Sequence, residues 1–301
     1  MPEQDHTCVR LPDFTADTDH LDQHFLDSET ATHMVAVAQP TASDVVLDIG
    51  AGTGAVTAAI TAVRPRRVIA IEVDSRCARY LAALQRSPAG LTVIMRPLRE
   101  VDERSLRPTT MIIANPPFSA LERTRRLLRA LPNLRTVTMC VSNRWAQAAA
   151  ARVCAPTFGR TSVAIQSRFH ARIIEVINSD HFAPRPRRPA ALLQLTRRAA
   201  PDERLDVLAE ALLASGGLYV KNLLRSQRLR RALPAEHLYT LIHLPGVRQL
   251  QHKRLTELSD AHIATLAAAM QGRPVSRASE TMHSGRGGLV PRHRCRRRAP
   301  Q

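Results

Sequence analysis

Lysine is nearly missing from this 301-residue chain: Lys221 and Lys253 are the only two, although lysine and arginine together number 43. Aromatic residues are also scarce, at 3%, with Trp145 as the single tryptophan. No run of eighteen apolar residues occurs, which excludes a membrane-spanning helix. The stretch Met1 to Arg10 has no basic segment followed by an apolar one, so a secretory leader is not expected and a cytoplasmic location is. The five cysteines, Cys8, Cys77, Cys140, Cys154 and Cys295, show no CxxC spacing, and an odd number cannot close completely into disulfides. Twelve histidines are scattered without ligand-like pairing, so no metal is expected. Internal repeats are absent as well, and an apolar fraction of 44% fits a folded protein of one large and one smaller domain.

What the chain has in surplus is arginine, and the formal net charge is +17. Genome composition can favour arginine over lysine, but it does not create an excess of cations. Such an excess points to a polyanionic partner, nucleic acid first. The planar guanidinium suits phosphate because its fork binds two oxygens at once.

Residues 1–22 are polar and acidic, with four aspartates from Asp13 to Asp22, and are expected to be loosely ordered. From residue 23 onward, short apolar runs alternate with amphipathic stretches. Val45–Ile49, Val68–Val73, Leu91–Met95, Met111–Ala114 and Val137–Val141 read as strands. Arg76–Gln85 and Leu121–Leu131 read as helices between them. This alternation predicts a doubly wound α/β fold with a parallel sheet covered on both faces. Phe182–Pro189 holds three prolines in eight residues and reads as an extended connector, closing a domain of residues 23–188. Residues 189–270 then read as a small helical domain with helices Asp202–Ala214, Gly217–Leu233, Ala235–Leu244 and Leu255–Met270. Within the last of these, Asp260 marks a possible helix start. Residues 271–301 are Gly-, Ser- and Arg-rich and read as a disordered basic tail.

Two motifs carry chemistry. In Val45-Val46-Leu47-Asp48-Ile49-Gly50-Ala51-Gly52-Thr53-Gly54, a buried strand ends in a glycine turn that opens a helix, Ala55–Val63. Glycine is needed where the backbone turns sharply and approaches a ligand closely. A carboxylate at the end of the next strand takes a ribose hydroxyl pair in nucleotide-binding α/β folds, and Glu72 is placed for that. Together they favour an adenosine-containing ligand.

The second motif, Met111-Ile112-Ile113-Ala114-Asn115-Pro116-Pro117-Phe118, delivers an amide, two prolines and an aromatic ring to the end of a strand. An exocyclic purine amine is a poor nucleophile, because its lone pair is delocalised into the ring. The Asn115 side-chain oxygen and the Pro116 carbonyl can each accept one of its N–H groups, and those bonds strengthen as positive charge develops on the nitrogen. Phe118 offers a face for an extruded base.

With these residues in this order, the chain resembles the ribosomal RNA adenine N6-methyltransferases, which include the erythromycin-resistance methyltransferases and the small-subunit adenine dimethylases. Asp48–Gly54, Ile71-Glu72-Val73-Asp74 and Asn115-Pro116-Pro117-Phe118 carry the resemblance. Gln23-His24-Phe25-Leu26 is similar to the family's opening motif, and Phe182-Ala183-Pro184-Arg185-Pro186 to its closing one. The resemblance implies a Rossmann-like class I methyltransferase domain followed by a small helical domain, with S-adenosyl-L-methionine as cofactor and ribosomal RNA as partner. His24 and Leu26 would line the methionine end of the cofactor. Gly50 would contact it through the backbone within the Asp48, Gly50, Gly52 and Gly54 motif, and Glu72 would hold its ribose. Asn115, Pro116 and Phe118 would position the target adenine, with Asn115 also near the cofactor. The helical domain and the arginines would hold RNA, and the chain is expected to act as a monomer.

Three departures stand out. His24 replaces an asparagine, and Pro116 replaces a leucine or isoleucine, giving an Asn-Pro-Pro form that DNA adenine methyltransferases share. Arg96 or Pro97 stands where the family has an aspartate that accepts from the cofactor's adenine; Asp102 or a backbone group is the candidate substitute. The arginine-rich tail and Pro116 favour the large-subunit (23S) branch, associated with macrolide-lincosamide-streptogramin antibiotic resistance. A small-subunit dimethylase, a DNA adenine methyltransferase and a non-catalytic RNA-binding factor remain alternatives. Trp145 is expected in the core rather than stacked on a base. Helical spacing puts Lys221, Arg225 and Arg228 on one face, a candidate phosphate track.

Overall fold

A computed structural model describes residues 23–85, 90–153, 155–214 and 218–273. Its strands are β1 Phe25–Leu26, β2 Val45–Ile49, β3 Arg67–Glu72, β4 Leu91–Met95, β5 Met111–Ala114, β6 Thr136–Ser142, β7 Phe169–Ile177, β8 Phe182–Ala183 and β9 Ala190–Arg197. The helices between and before them are α1 Ser28–Ala38, α2 Ala55–Ala62, α3 Ala78–Leu84, α4 Glu103–Leu106, α5 Leu121–Ala130, α6 Asn143–Ala150 and α7 Arg160–Gln166. After β9 come α8 Glu203–Leu213, α9 Val220–Leu224, α10 Gln227–Ala232, α11 Ala235–His243, α12 Pro245–Arg248 and α13 Asp260–Met270.

Seven strands form one sheet in the order β4-β3-β2-β5-β6-β9-β7. The first five are parallel, and β9 runs antiparallel to both β6 and β7. Alternate side chains of the parallel strands enter two cores, as the two-residue strand period requires. Leu47, Ile49, Ile69, Ile71 and Ile112 pack into one. Val46, Val68, Met111 and Ile113 pack into the other, under Met34, Val56 and Ile60 of α1 and α2. Near-continuous apolar strands are what a sheet buried on both faces demands. Trp145 packs half-buried against the first core, as expected.

The expected boundary at residue 188 moves. The proline-rich segment is not an inter-domain connector, because the chain returns through Ala190–Arg197 into the sheet and pairs with Thr136–Ser142 along its whole length. The helical layer starts only at α8, where the Asp202 side chain accepts from the Leu205 amide. The single helix expected over Gly217–Leu233 is two, since Ser226 caps a fresh start by accepting from the Leu229 amide. That break removes the shared face of Lys221, Arg225 and Arg228; Arg228 instead pairs with Glu210, and Lys221 lies 5.3 Å from the Tyr219 ring. In the last helix Ser259 is the cap and Asp260 the first helical residue.

The helical layer has its own core, including Phe158, Leu208, Leu229, Leu241 and Leu266. An ion-pair cluster joins it to the sheet. Asp206, on α8, takes Arg129 at 2.8 Å from α5 and Arg168 at 2.8 Å from the turn before β7. Burial pushes the Asp206 carboxyl up, but the two guanidiniums outweigh it and hold the carboxyl below its usual range. Residues 1–22, and the basic tail from 274 onward, lie outside the described residues. No helix among the described residues is long and apolar enough to cross a membrane.

Candidate active site

β2 leads outward to β3 and β4, whereas β5 leads the other way to β6. β2 and β5 are therefore neighbours where the winding reverses, and open α/β sheets bind ligands outside the strand ends at such a point. Both motifs end there. Between them lies a cleft. His24, Leu26, Gly50, Gly52, Glu72, Asn115, Pro116 and Phe118 all line it.

The glycine turn is held from beneath by Glu72. Its Oε2 accepts from the Gly52 amide at 2.6 Å, and its Oε1 from the Val73 and Asp74 amides at 2.7 and 2.8 Å. A carboxylate offers about four acceptor positions, so one remains for a hydroxyl in the cleft. Gly50 has φ +74°, and a Cβ there would lie 2.6 Å from Cδ of Pro117. The missing side chain lets the two motifs touch. At Gly52, φ is +56° and a Cβ would lie 3.0 Å from the Phe25 ring.

Asp48 and Gly54 do not line the cleft. Gly54, at φ +94°, starts α2 and sits against Leu84. Asp48 is fully buried and its Oδ2 accepts from Thr57 Oγ1 at 2.6 Å. Burial, and then the neighbouring Glu72 charge, push its carboxyl up to about 7 against the pull of Thr57. Its place in the motif is therefore beneath the turn, not within the cleft.

The acceptor side is built around His24. Asn115 donates through Nδ2 to the His24 carbonyl at 2.8 Å, which leaves its Oδ1 without a protein donor among the described residues. His24 Nδ1 in turn meets the Pro184 carbonyl at 2.8 Å. A carbonyl only accepts, so that nitrogen carries the proton. The His24 ring stands 6.4 Å from the Phe118 ring, and Phe118 is 41% exposed. The opening and closing motifs pair directly, Phe25 with Ala183 and Leu26 with Phe182. Gln23 adds a bond from Nε2 to Asp74 at 3.0 Å, tying the opening motif to the end of β3.

The departure at Arg96 and Pro97 is not repaired by Asp102. Asp102 caps α4 by accepting from the Arg104 amide, and none of the three lines the cleft. Cys140 does line it, but burial pushes its thiol up to about 12, so it stays protonated and serves as wall. Sequence reasoning missed Phe25, Phe182 and Arg188 as lining residues. Phe25 and Phe182 sat inside quoted motifs, so pairing of those motifs was the signal. Among the described residues no group of three or more His, Cys, Asp or Glu is arranged to hold a metal ion.

The fold is the Rossmann-like fold of class I methyltransferases. Residues 16–215 match the family described as ribosomal RNA adenine dimethylase, and the chain belongs to that family, whose members use S-adenosylmethionine. It is 33% identical over 164 residues to "Ribosomal RNA small subunit methyltransferase A" of Roseobacter denitrificans, covering 52% of this chain and 58% of that protein. A protein of the same name from Cereibacter sphaeroides is 27% identical over 260 residues, covering 84% of this chain and 91% of its own. Among solved structures, a dimethyladenosine transferase from Plasmodium falciparum superposes with TM-score 0.57 at 18% identity, over 83% of this chain and 99% of that one. The 23S rRNA methyltransferase ErmE superposes with TM-score 0.52 at 19% identity, over 82% and 99%. These two likenesses establish the fold. The names of both relatives specify the small ribosomal subunit, not the large one.

Proposed function

We propose that this protein transfers methyl groups from S-adenosylmethionine to adenine N6 in small-subunit ribosomal RNA, acting as a monomer in the cytoplasm. The observation that carries the reading is the meeting of the Glu72-braced glycine turn and Asn115-Pro116-Pro117-Phe118 across one cleft. The small-subunit assignment follows the relatives' names. The cofactor supplies an electrophilic methyl on a sulfonium. The residues fit it: an acceptor position remains on Glu72 for the ribose, and the positive-φ glycines bring backbone to the cleft without side chains.

Asn115 is held by His24 so that Oδ1 is free to accept from the adenine amine, and the Pro116 carbonyl takes its second N–H. As the nitrogen gains positive charge, both acceptors bind it more strongly, which lowers the barrier without a covalent enzyme intermediate. Phe118, being exposed at the rim, stacks the extruded base.

The test is transfer of radiolabelled methyl to protein-free small- and large-subunit RNA and to the assembled small subunit, with nucleoside analysis. Label in N6-methylated adenosine of small-subunit RNA is expected. Label confined to large-subunit RNA overturns the branch, and cofactor binding with no transfer to any RNA overturns the acceptor.

A further inference from the structure

A second cavity opens off the methyl-transfer cleft. His24, Phe118 and Arg188 line both, so the two are continuous at the acceptor rim. Four arginines line the second one: Arg144 in the first turn of α6, and Arg185, Arg187 and Arg188 on the segment between β8 and β9. Among the described residues, no carboxylate lines it.

Several arginines elsewhere are neutralised by carboxylates. Arg125 pairs with Glu122, Arg129 and Arg168 with Asp206, and Arg135 with Asp44. Arg185 has an exposed partner in Asp180 at 3.2 Å, whereas Arg144, Arg187 and Arg188 have no ion-pair partner among the described residues. Buried Pro186 anchors the segment while Arg185, Arg187 and Arg188 stay exposed on either side of it. The Asn143 amide donates to the Pro189 carbonyl at 3.2 Å, fixing that segment against α6 and setting Arg144 beside it. Unpaired cations gathered in one cavity repel each other, a cost that a ligand with repeated negative charge would offset.

We infer that this cavity is a phosphodiester subsite, which holds the single-stranded RNA nucleotides flanking the adenine that enters the cleft. The inference rests on the proposed function for the identity of the polymer. A base stacked on Phe118 has left its stack, so the backbone on either side of it is drawn to the rim and runs past His24 and Arg188 into the arginines. Arginine reads that backbone through bidentate contacts to phosphate oxygens, and Ser142, Asn143 and Gln147 on the same wall add neutral hydrogen-bonding groups.

The test compares a triple variant, Arg144→Ala, Arg185→Ala and Arg187→Ala, none of which lines the methyl-transfer cleft, with a control that loses the same charge elsewhere, Arg66→Ala, Arg104→Ala and Arg107→Ala. KM for small-subunit RNA is measured, together with binding of a fluorescent single-stranded RNA oligonucleotide across a salt series. Calorimetry with S-adenosylmethionine and thermal melting check the cleft and the fold. The cavity variant is expected to raise KM about tenfold and to lower the salt slope of oligonucleotide binding by about 2. Cofactor affinity and kcat at saturating RNA stay near the parent's, and the control loses far less. Equal losses in both variants overturn the subsite. A parent that transfers no methyl but loses oligonucleotide binding only in the cavity variant keeps the subsite and overturns the proposed function. Equal binding of DNA of the same sequence keeps the phosphate contacts and overturns the assignment to RNA.

Discussion

The two sides of the cleft are built on different principles. On the glycine side the groups are backbone or buried: Glu72 is 5% exposed and bonds three amides, and Gly50 and Gly52 sit at positive φ. On the asparagine side, apart from the Pro116 carbonyl, the groups are side chains at a rim, with Phe118 exposed and Asn115 half-buried. A small ligand of fixed shape is matched by a frame set during folding. A polymer that must deform to present one base is met by rings and charges that can adapt. The difference teaches that substitutions on the two sides should fail differently.

The largest effect is expected on the adaptable side. Asn115→Ala should lower methyl transfer by about 10² to 10³-fold, while leaving the melting temperature close to the parent's. Retained transfer in the radiolabel assay removes Asn115 from the chemistry, and a collapsed fold would erase the contrast between the sides.

Gly50→Ala probes the frame. Forcing a Cβ at φ +74°, against Pro117, should cost about 1–2 kcal/mol of folding stability in urea titration. Because Pro117 must shift, cofactor affinity and transfer should fall together. A stable variant with normal affinity would show that the turn tolerates a side chain and that the frame is not rigid.

The smallest effect concerns Asp48, under the same frame. Its folded-state carboxyl sits at about 7, well above the unfolded value, so it holds its proton longer in the native state. Its contribution to stability is full below the ordinary carboxylate range and is lost as pH rises through about 7. Asp48→Asn can still accept from Thr57, so its melting temperature should match the parent's near about pH 4 and exceed it above about pH 7. Parallel melting curves across that range would place the carboxylate in a less buried setting.

Much of this was readable in advance where local signals agree. The strands before both motifs and the start of α2 follow from apolar runs that end in glycine or proline, and the structure has them within a residue or so. β9 was not readable. Ala190–Arg197 has one β-branched residue, Thr196, near its end, and its ladder with β6 and β7 makes it a strand. β7 did carry a signal, since Phe169, Ala171 and Ile173 alternate toward one core before the irregularity at Ile173/Glu175. Motif membership named Asp48, but motifs do not tell which way a side chain points, and this one points to Thr57. The arginine cavity was likewise hidden, because β6 must be laid beside β9 before Arg144 meets Arg188.

His24 finds Pro184 across 160 positions of chain. A ribosome producing this protein releases the glycine turn and Asn115 first, with their rim still open. At roughly 5–20 residues per second, the piece that closes it follows on the order of ten seconds later. Until then, the newborn chain has a floor for its cofactor but no finished place for a base, so synthesis itself sets when the protein can first act.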